Sequence, residues 1–356
     1  MHQARKSSDV TVSVVIPARN EGLHIRECLD SFLNGDYSSE LIEIIVVDGL
    51  STDNTMDILK EYQETGVNLK VISNPHKVVP HAMNKGIKEA ANEVIIRADA
   101  HSIYPSSYVK DMVYWLVKLT EKYKCDICLG PIWDTVSGSR TDEAAAVACI
   151  LSHPFGVGNS EHKIGRVEGV VEVDAIPFGC YWKSVFQKVG YFDEHLIRNQ
   201  DDEFHTRIKQ SGGRIFLATA VRVKYKAREK MKSMANMLYQ YGLYKPLTVK
   251  KLGRPSTLRQ LVPPSFALLI FTTPATYFVP FPLALLWLMP IALYILLNIV
   301  SSISAAKGKM GRLPYISFGF FMGHMAYGIG YFCGIIKFVI FNDHMKASNV
   351  DLRITR

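Results

Sequence analysis

Arg97-Ala98-Asp99-Ala100-His101 is the stretch of this chain best equipped for chemistry. It follows Glu93-Val94-Ile95-Ile96, an apolar run that reads as a buried strand. Residues two apart leave a strand on the same side, so Asp99 and His101 face one space. A carboxylate oxygen and a neutral imidazole can share one divalent cation, Mg2+ or Mn2+, whose other positions go to water and a phosphate oxygen. A nucleotide diphosphate can be held in that way. A solvated loop acid beside an unrelated histidine would look the same in isolation, so the weight rests on what else reaches that edge.

Two earlier loops should reach it. Val10 to Ile16 is a β-branched strand that Pro17 should halt, and Ala18-Arg19-Asn20-Glu21 follows. Leu41 to Val47 is a second strand that delivers Asp48, then Gly49-Leu50-Ser51-Thr52-Asp53-Asn54-Thr55. Leu23, Ile25, Cys28, Leu29 and Phe32 recur at helical spacing between them, and Asn34-Gly35-Asp36 ends that helix. Ser51 or Thr52 can cap a helix running to about Glu64. A strand over 68–73, a helix over 79–91 with Asn84 and Gly86 near its middle, and a strand over 93–98 complete the repeat. Short strands alternating with helices predict an α/β, doubly wound, mainly parallel sheet, which binds ligands beyond the carboxyl ends of its strands. One acid after a strand is a common helix cap. The groups Arg19/Glu21, Asp48/Asp53 and Asp99/His101 on one edge are harder to attribute to capping.

VVIPARNE, VVDGLSTDNT and RADAH, in this order and spacing, resemble the inverting glycosyltransferases of family 2, whose nucleotide-sugar-binding fold is called GT-A. The family's Asp-x-Asp motif is Asp99-Ala100-His101 here, a variant similar to the subgroup of succinoglycan-type exopolysaccharide glucosyltransferases. The resemblance covers about residues 10–245. It implies a UDP-sugar donor held by Pro17, Ala18, Arg19, Glu21, Asp48, Asp53, Asn84, Arg97 and Asp99, and a divalent metal on Asp99 and His101. Asp48 would accept from a pyrimidine imide N–H, and Glu21 from a ribose or base donor. Pro177-Phe178-Gly179-Cys180-Tyr181 follows a strand over 170–176; by the same resemblance Phe178, Gly179 and Cys180 lie near the acceptor, with Gln200 and Asp202. The family pattern Glu-Asp-x-Asp-Leu-x-x-Arg, anchored on Phe204 and Arg207, places the proton-accepting acid at Asp201. Gln200 departs from the pattern, and a slip of one residue would make Asp202 the base. Helix N-terminal acids favoured by the macrodipole would give the same string. His153 to Gly158 is a lid near the sugar or a plain turn.

Further strands and helices are expected at 126–132 and at 104–117 and 144–151. Between Arg222 and Lys232 the basic residues Arg222, Lys224, Lys226, Arg228, Lys230 and Lys232 face one acid, Glu229. A solvated strand explains this, as does diphosphate or headgroup binding by Lys226 and Arg228. Gln240 to Lys245 stands where processive synthases of the family carry Gln-x-x-Arg-Trp; its absence implies one sugar added per acceptor.

Among 356 residues, 48% are hydrophobic and 21% charged, but charge-free runs concentrate after Leu261. Residues 264–282 and 283–303 carry no charge, and 315–336 is interrupted only by His324, so each approaches bilayer length. Prolines 274, 280, 282 and 290 could instead break the first two into re-entrant pieces, and a soluble helical bundle is the remaining alternative. Lys307, Lys309 and Arg312 put the linker between the runs, and the catalytic domain with it, on the cytoplasmic side. The expected division is a cytoplasmic GT-A catalytic domain at 1–245, a basic interfacial linker at 246–263, a membrane domain of about three spans at 264–341 and a tail at 342–356. The expected place is the inner membrane, multi-pass. The N-terminus lacks the apolar core of a signal peptide.

The net charge of +8 suggests lipid headgroups and phosphorylated substrates as partners, and no nucleic-acid module is recognisable. The six cysteines are scattered; Cys125 and Cys128 lack a second pair for a zinc site, so buried structural thiols are expected. The expected acceptor is a polyprenyl-diphosphate-linked saccharide; direct transfer to a polyprenyl phosphate or glycolipid is the alternative. A sugar nucleotidyltransferase would need a glycine-rich loop followed by Arg and Lys where VVIPARNEG stands. A membrane-anchored binding protein would have no use for Asp99, His101 and Asp201 together.

Overall fold

The computed structural model describes residues 7–158, 169–255 and 257–343; the expected tail lies almost wholly outside them. The chain divides into two compact units, 1–134 with 165–225, and 135–164 with 226–344.

The first unit is built on a nine-stranded mixed sheet in the order β3-β2-β1-β4-β8-β6-β9-β5, with β7 also on β9. Its parallel half is β1 (Val12–Ala18), β2 (Ile42–Asp48), β3 (Leu69–Ser73) and β4 (Val94–Arg97). Helices α1 (Ile25–Leu33), α2 (Thr55–Glu64) and α3 (Val79–Glu89) connect them. β1 is central and buried on both faces: Val12, Val14 and Ile16 pack on the side of α1, Val15 on the side of α3. Such strands read as continuous β-branched runs, which is why they were legible. Gly86 lets α3 lie close, because a Cβ there would meet Val15.

The other half is antiparallel. β5 (Ser102–Ile103) precedes α4 (Tyr108–Tyr123), then come β6 (Ile127–Val136), β7 (Val170–Glu172) and β8 (Cys180–Trp182). β8 runs antiparallel to β4 and β6, and β9 (Arg214–Lys226) runs antiparallel to β5 and β7. The mainly parallel sheet expected from the sequence is thus parallel only as far as β4.

Several local expectations change. Pro17 does not halt β1, which runs to Ala18. β1 pairs with β4 only as far as Val15, so at Pro17 no amide donor is needed on that side. Leu23 lies before α1 and is exposed. Neither Ser51 nor Thr52 caps α2; its N-cap residue is Asn54, and Asp53 accepts the Thr55 N–H at 3.1 Å.

In the second unit, α5 (Asp142–Ser152) and the single turn α6 (Pro154–Val157) join the helices 231–252, 262–272, 281–306 and 313–334. The boundary expected at 245 falls inside helix Met231–Leu252, which packs along helix Leu313–Gly334. Glycines permit the approach: a Cβ at Gly242 would run into the Tyr327 carbonyl, and one at Gly330 into that of Tyr239. Ile150 of α5 joins Met231, Met234, Ile316 and Phe320 in a separate apolar core. Three stretches, Leu258–Phe278, Phe281–Ala306 and Met310–Ile340, are long and apolar enough to cross a membrane. Pro280 and Pro282 separate the first two, and Pro290 sits within the second helix. His153 to Gly158 is a helical turn: the Phe155 N–H donates to His153 Nδ1 at 3.2 Å, and His324 Nε2 lies 2.8 Å from the Phe155 carbonyl.

Candidate active site

The loops after β1 and β2 are clasped to each other at the carboxyl edge of the sheet. Gly49 N donates to the Ala18 carbonyl at 2.8 Å, Asn20 N to Ser51 Oγ at 2.8 Å, Glu21 N to Thr55 Oγ1 at 2.8 Å, and Gly22 N to Asp53 Oδ2 at 3.0 Å. Asp48 is 4% exposed and accepts from Ser51 N at 3.0 Å and from the Ser51 hydroxyl. Asp53 faces solvent. Burial pushes its carboxyl up, but hydrogen bonds from Thr55 and the Gly22 N–H outweigh that and hold it below its ordinary value. Its visible work is to join the two loops. Pro17 and Arg19 are half-buried beside Ala18.

His101 and Glu21 come together, with Nδ1 and Oε1 3.2 Å apart. Glu21, expected on the nucleotide, thus has one carboxylate oxygen engaged with an imidazole. Asp99 is fixed through its backbone: its N–H donates to Tyr104 Oη at 2.7 Å, and Cys28 Sγ–H points to its carbonyl at 3.6 Å. Burial, then the charges of Asp99 and Glu21, raise the Cys28 thiol well above its ordinary range, so it stays protonated. Neither Tyr104 nor Cys28 was singled out for the site; each carries the apolar spacing of an ordinary core residue.

The donor set fits a divalent cation. A carboxylate holding one ring nitrogen of His101 leaves Nε2 free to ligate, the arrangement by which ligating histidines are oriented. The carboxylate of Asp99, two residues before His101, is partly exposed. Among the described residues no three His, Cys, Asp or Glu side chains gather as a metal cage. A cation here would rest on Asp99 and His101 and take its other ligands from phosphate and water.

Asp201 opens the helix Gln200–Gln210, and its carboxylate forms an ion pair with Arg97 Nη1. Arg97 Nη2 lies 3.7 Å from Asp99 Oδ1, so one guanidinium touches both acids. The neighbouring acid pairs raise the Arg97 pKa in spite of its burial, so it remains a cation. Gln200 is buried and Asp202 partly so. Arg207 supports the loop before this helix, binding Glu203 and the carbonyls of Val189 and Tyr191.

Some expected contacts are not available. The Asn84 amide is used on the protein: it donates to the Phe192 carbonyl and to Glu194, both at 2.9 Å, and accepts from Phe192 N at 3.0 Å. Phe178 and Cys180 are buried in the sheet core, with Phe178 among Tyr104, Trp133 and Tyr225. Gly179 is tight against Tyr181, and its carbonyl accepts the Arg97 N–H at 2.9 Å. This segment therefore supports the site from beneath. Lys226 and Arg228 belong to the second unit, at the end of β9, and are partly buried. All six cysteines are free thiols.

Comparison with known proteins defines the class. Residues 13–186 match Glycosyl transferase family 2. The chain carries a domain of that family and is a glycosyltransferase. It is 28% identical over 243 residues to the dolichyl N-acetyl-alpha-D-glucosaminyl phosphate 3-beta-D-2,3-diacetamido-2,3-dideoxy-beta-D-glucuronosyltransferase of Methanococcus voltae, covering 67% of this chain and 74% of that one. It is 27% identical over 260 residues to the succinoglycan biosynthesis protein ExoA of Rhizobium meliloti, covering 72% and 76%. The GT-A fold is shared with solved structures. The mannosyltransferase PcManGT of Pyrobaculum calidifontis, in complex with GDP-Man and Mn2+, superposes with a TM-score of 0.54 at 19% identity, over 91% of this chain and 87% of that one. TarS 1–349 of S. aureus with UDP-GlcNAc gives 0.51 at 17% identity, over 90% of each.

Proposed function

We propose that this chain transfers one sugar, with inversion, from a UDP-sugar to a polyprenyl-diphosphate-linked saccharide at the cytoplasmic face of a membrane. The observation that carries the reading is the gathering of Asp48, Asp99, His101 and Asp201 beyond the strand ends, with Arg97 between two of the acids. The apolar helices of the second unit and the dolichyl phosphate-linked substrate named for the M. voltae relative support a lipid-linked acceptor. The relative from M. voltae is named for a dolichyl phosphate-linked sugar, so an acceptor with one phosphate is the second reading.

In this mechanism Asp48 accepts from the pyrimidine imide and the clasped loops hold the nucleoside. Asp99 and His101 would hold a divalent cation, which would supply countercharge for the leaving diphosphate. Glu21 keeps the His101 ring turned so that Nε2 faces the phosphates. Asp201 takes the proton from the acceptor hydroxyl as its oxygen attacks the anomeric carbon opposite the leaving group. One in-line displacement inverts the configuration, so no covalent sugar–enzyme bond forms. Lys226 and Arg228, in the unit with the apolar helices, meet the lipid's phosphates or headgroup.

The test uses the full chain in detergent. UDP-glucose, UDP-galactose and UDP-N-acetylglucosamine are each mixed with polyprenyl phosphate and polyprenyl diphosphate carrying one sugar. UDP release and product mass are then read. One added hexose is expected, and a ladder of additions would sink the single-transfer reading. Asp201→Asn should bind UDP as wild type does and turn over at least about a hundredfold more slowly, the ordinary worth of a general base. Asp202→Asn should be milder; the reverse ranking would move the base by one residue.

A further inference from the structure

We infer that Arg97 is the positioning residue for the base: it holds Asp201 by one carboxylate oxygen and ties it to the metal-side acid Asp99. The inference rests on Asp201 as the base and deepens that reading. It departs from the expectation that Arg97 contacts the donor. The Arg97 side chain is only 8% exposed, while those of Asp201 and Asp99 are 26% and 19% exposed. The acids can thus reach a substrate, whereas the arginine is enclosed behind them.

Both ends of the arginine are fixed. Its Cα pairs with Val15 at the end of β4, and its N–H is bound by the Gly179 carbonyl. Gly179 is packed against the Tyr181 ring, so that carbonyl has little room to move. From this anchored backbone Nη1 meets Asp201 Oδ1, and Nη2 lies 3.7 Å from Asp99. At the other end of the pair Arg207 anchors the helix through Glu203, but no side-chain cap fixes its first turn. Helix Gln200–Gln210 begins at Asn199, which is left-handed at φ 62° and makes no side-chain cap. Asp201 sits in the first turn, where capping would normally define the geometry. The guanidinium takes over that task. Its planar fork sets the plane and rotamer of the carboxylate and leaves the second oxygen for an acceptor hydroxyl. It also separates two acids that would otherwise repel at the same edge.

The fork, and not merely the charge, is required. Lysine offers a single ammonium and cannot hold both acids from one fixed backbone position. With whichever donor and acceptor pair turns over in the panel above, Arg97→Lys should leave the donor KM within about twofold and lower kcat by about ten- to a hundredfold, the cost of a base misplaced by about an ångström. UDP binding, measured by calorimetry, should be retained. In the Asp201→Asn background the same substitution should cost almost nothing further, because residues acting as a unit are not additive. A loss in donor KM, an additive loss in the double variant, or an unchanged kcat would each overturn the inference. If Asp201→Asn alone is near wild type, the base assignment has failed instead, and the two failures are read separately. Arg97→Ala gives a second route: free guanidinium should restore part of kcat without changing UDP binding. No restoration in a protein that still binds UDP would also overturn the inference.

Discussion

His205 lies one turn beyond Asp201, and its environment predicts how the helix Gln200–Gln210 responds to acid. It is fully buried, with Nε2 3.0 Å from Tyr181 Oη and 3.5 Å from Cys128 Sγ. Burial drives its pKa from 6.5 down to about 4, although the charges of Asp201 and Asp202 oppose the shift. The native state therefore keeps this imidazole neutral, while the unfolded chain protonates it below about pH 6.5. Stability from this group is fully present above pH 6.5, falls as pH drops towards 4, and falls no further below that. A shift of about 2.5 pKa units corresponds to about 3 kcal/mol over the whole window, of which about 2 kcal/mol is gone at pH 5. For a domain of about 200 residues that is a fall of about 4–8 °C in Tm between pH 8 and pH 5. His205→Gln keeps a polar partner for Tyr181 and removes the titration. The variant should be less stable at pH 8 but should lose less on acidification. The assay is thermal unfolding of the detergent-purified chain at pH 8, 6 and 5, comparing the two slopes. Equal slopes in wild type and variant would refute the argument.

Chelation should abolish transfer if Asp99 and His101 hold a cation, and Asp99→Ala should remove metal-dependent UDP binding while the protein stays folded. Glu21→Gln should weaken metal affinity by about ten- to a hundredfold, as loss of a partner that orients a ligating histidine does; metal titration monitored by UDP binding reads both. In the second unit Gly330→Leu should destabilise by more than about 1–3 kcal/mol, since the side chain meets the Tyr239 carbonyl of a rigid helix. Gly323→Ala should be mild, because it meets only the end of the Leu238 side chain. Thermal stability and gel-filtration profile in detergent separate the two.

The parallel half of the sheet could be read from the sequence because its strands are buried on both faces. Val12 to Ile16, Ile42 to Val47 and Val94 to Ile96 are almost uninterrupted β-branched runs; Asp48 ends the second and Asp99 follows the third. What the sequence hid depends on contacts between distant residues. The Arg97–Asp201 pair spans 104 positions, and Asn84 reaches Phe192 across 108. An arginine beside an Asp-x-His motif reads as a phosphate contact until burial shows which way it faces. The family resemblance implies that Phe178 and Cys180 lie near the acceptor, yet β8 places Cys180 opposite Ile96 and Leu129 in the sheet. Leu23 fits the helical period and is exposed because the helix begins only at Ile25. The boundary expected at residue 245 follows the extent of the family resemblance. Helix Met231–Leu252 runs through it because Gly242 and the glycines of helix Leu313–Gly334 let the two helices pack closely.

The two sides of the site are fixed by different means, and the difference predicts where substitutions act. At the strand ends the loops 18–22 and 48–55 are joined by several independent hydrogen bonds, most with a backbone N–H as donor. Each contributes about 1 kcal/mol, so losing one side chain, such as Asp53 or Thr55, leaves the others to hold the same path. Around Asp201 the first turn carries no side-chain cap; Arg207 holds the helix through Glu203 and the carbonyls of Val189 and Tyr191, and the Asp201 carboxylate pairs with the buried Arg97, which also touches Asp99. Small changes in donor binding should therefore follow substitutions in the clasp, while large changes in turnover should follow substitutions at Arg97. On the proposed roles, a donor edge held by many weak bonds tolerates sequence change better than a base whose carboxylate rests on the Arg97 pair.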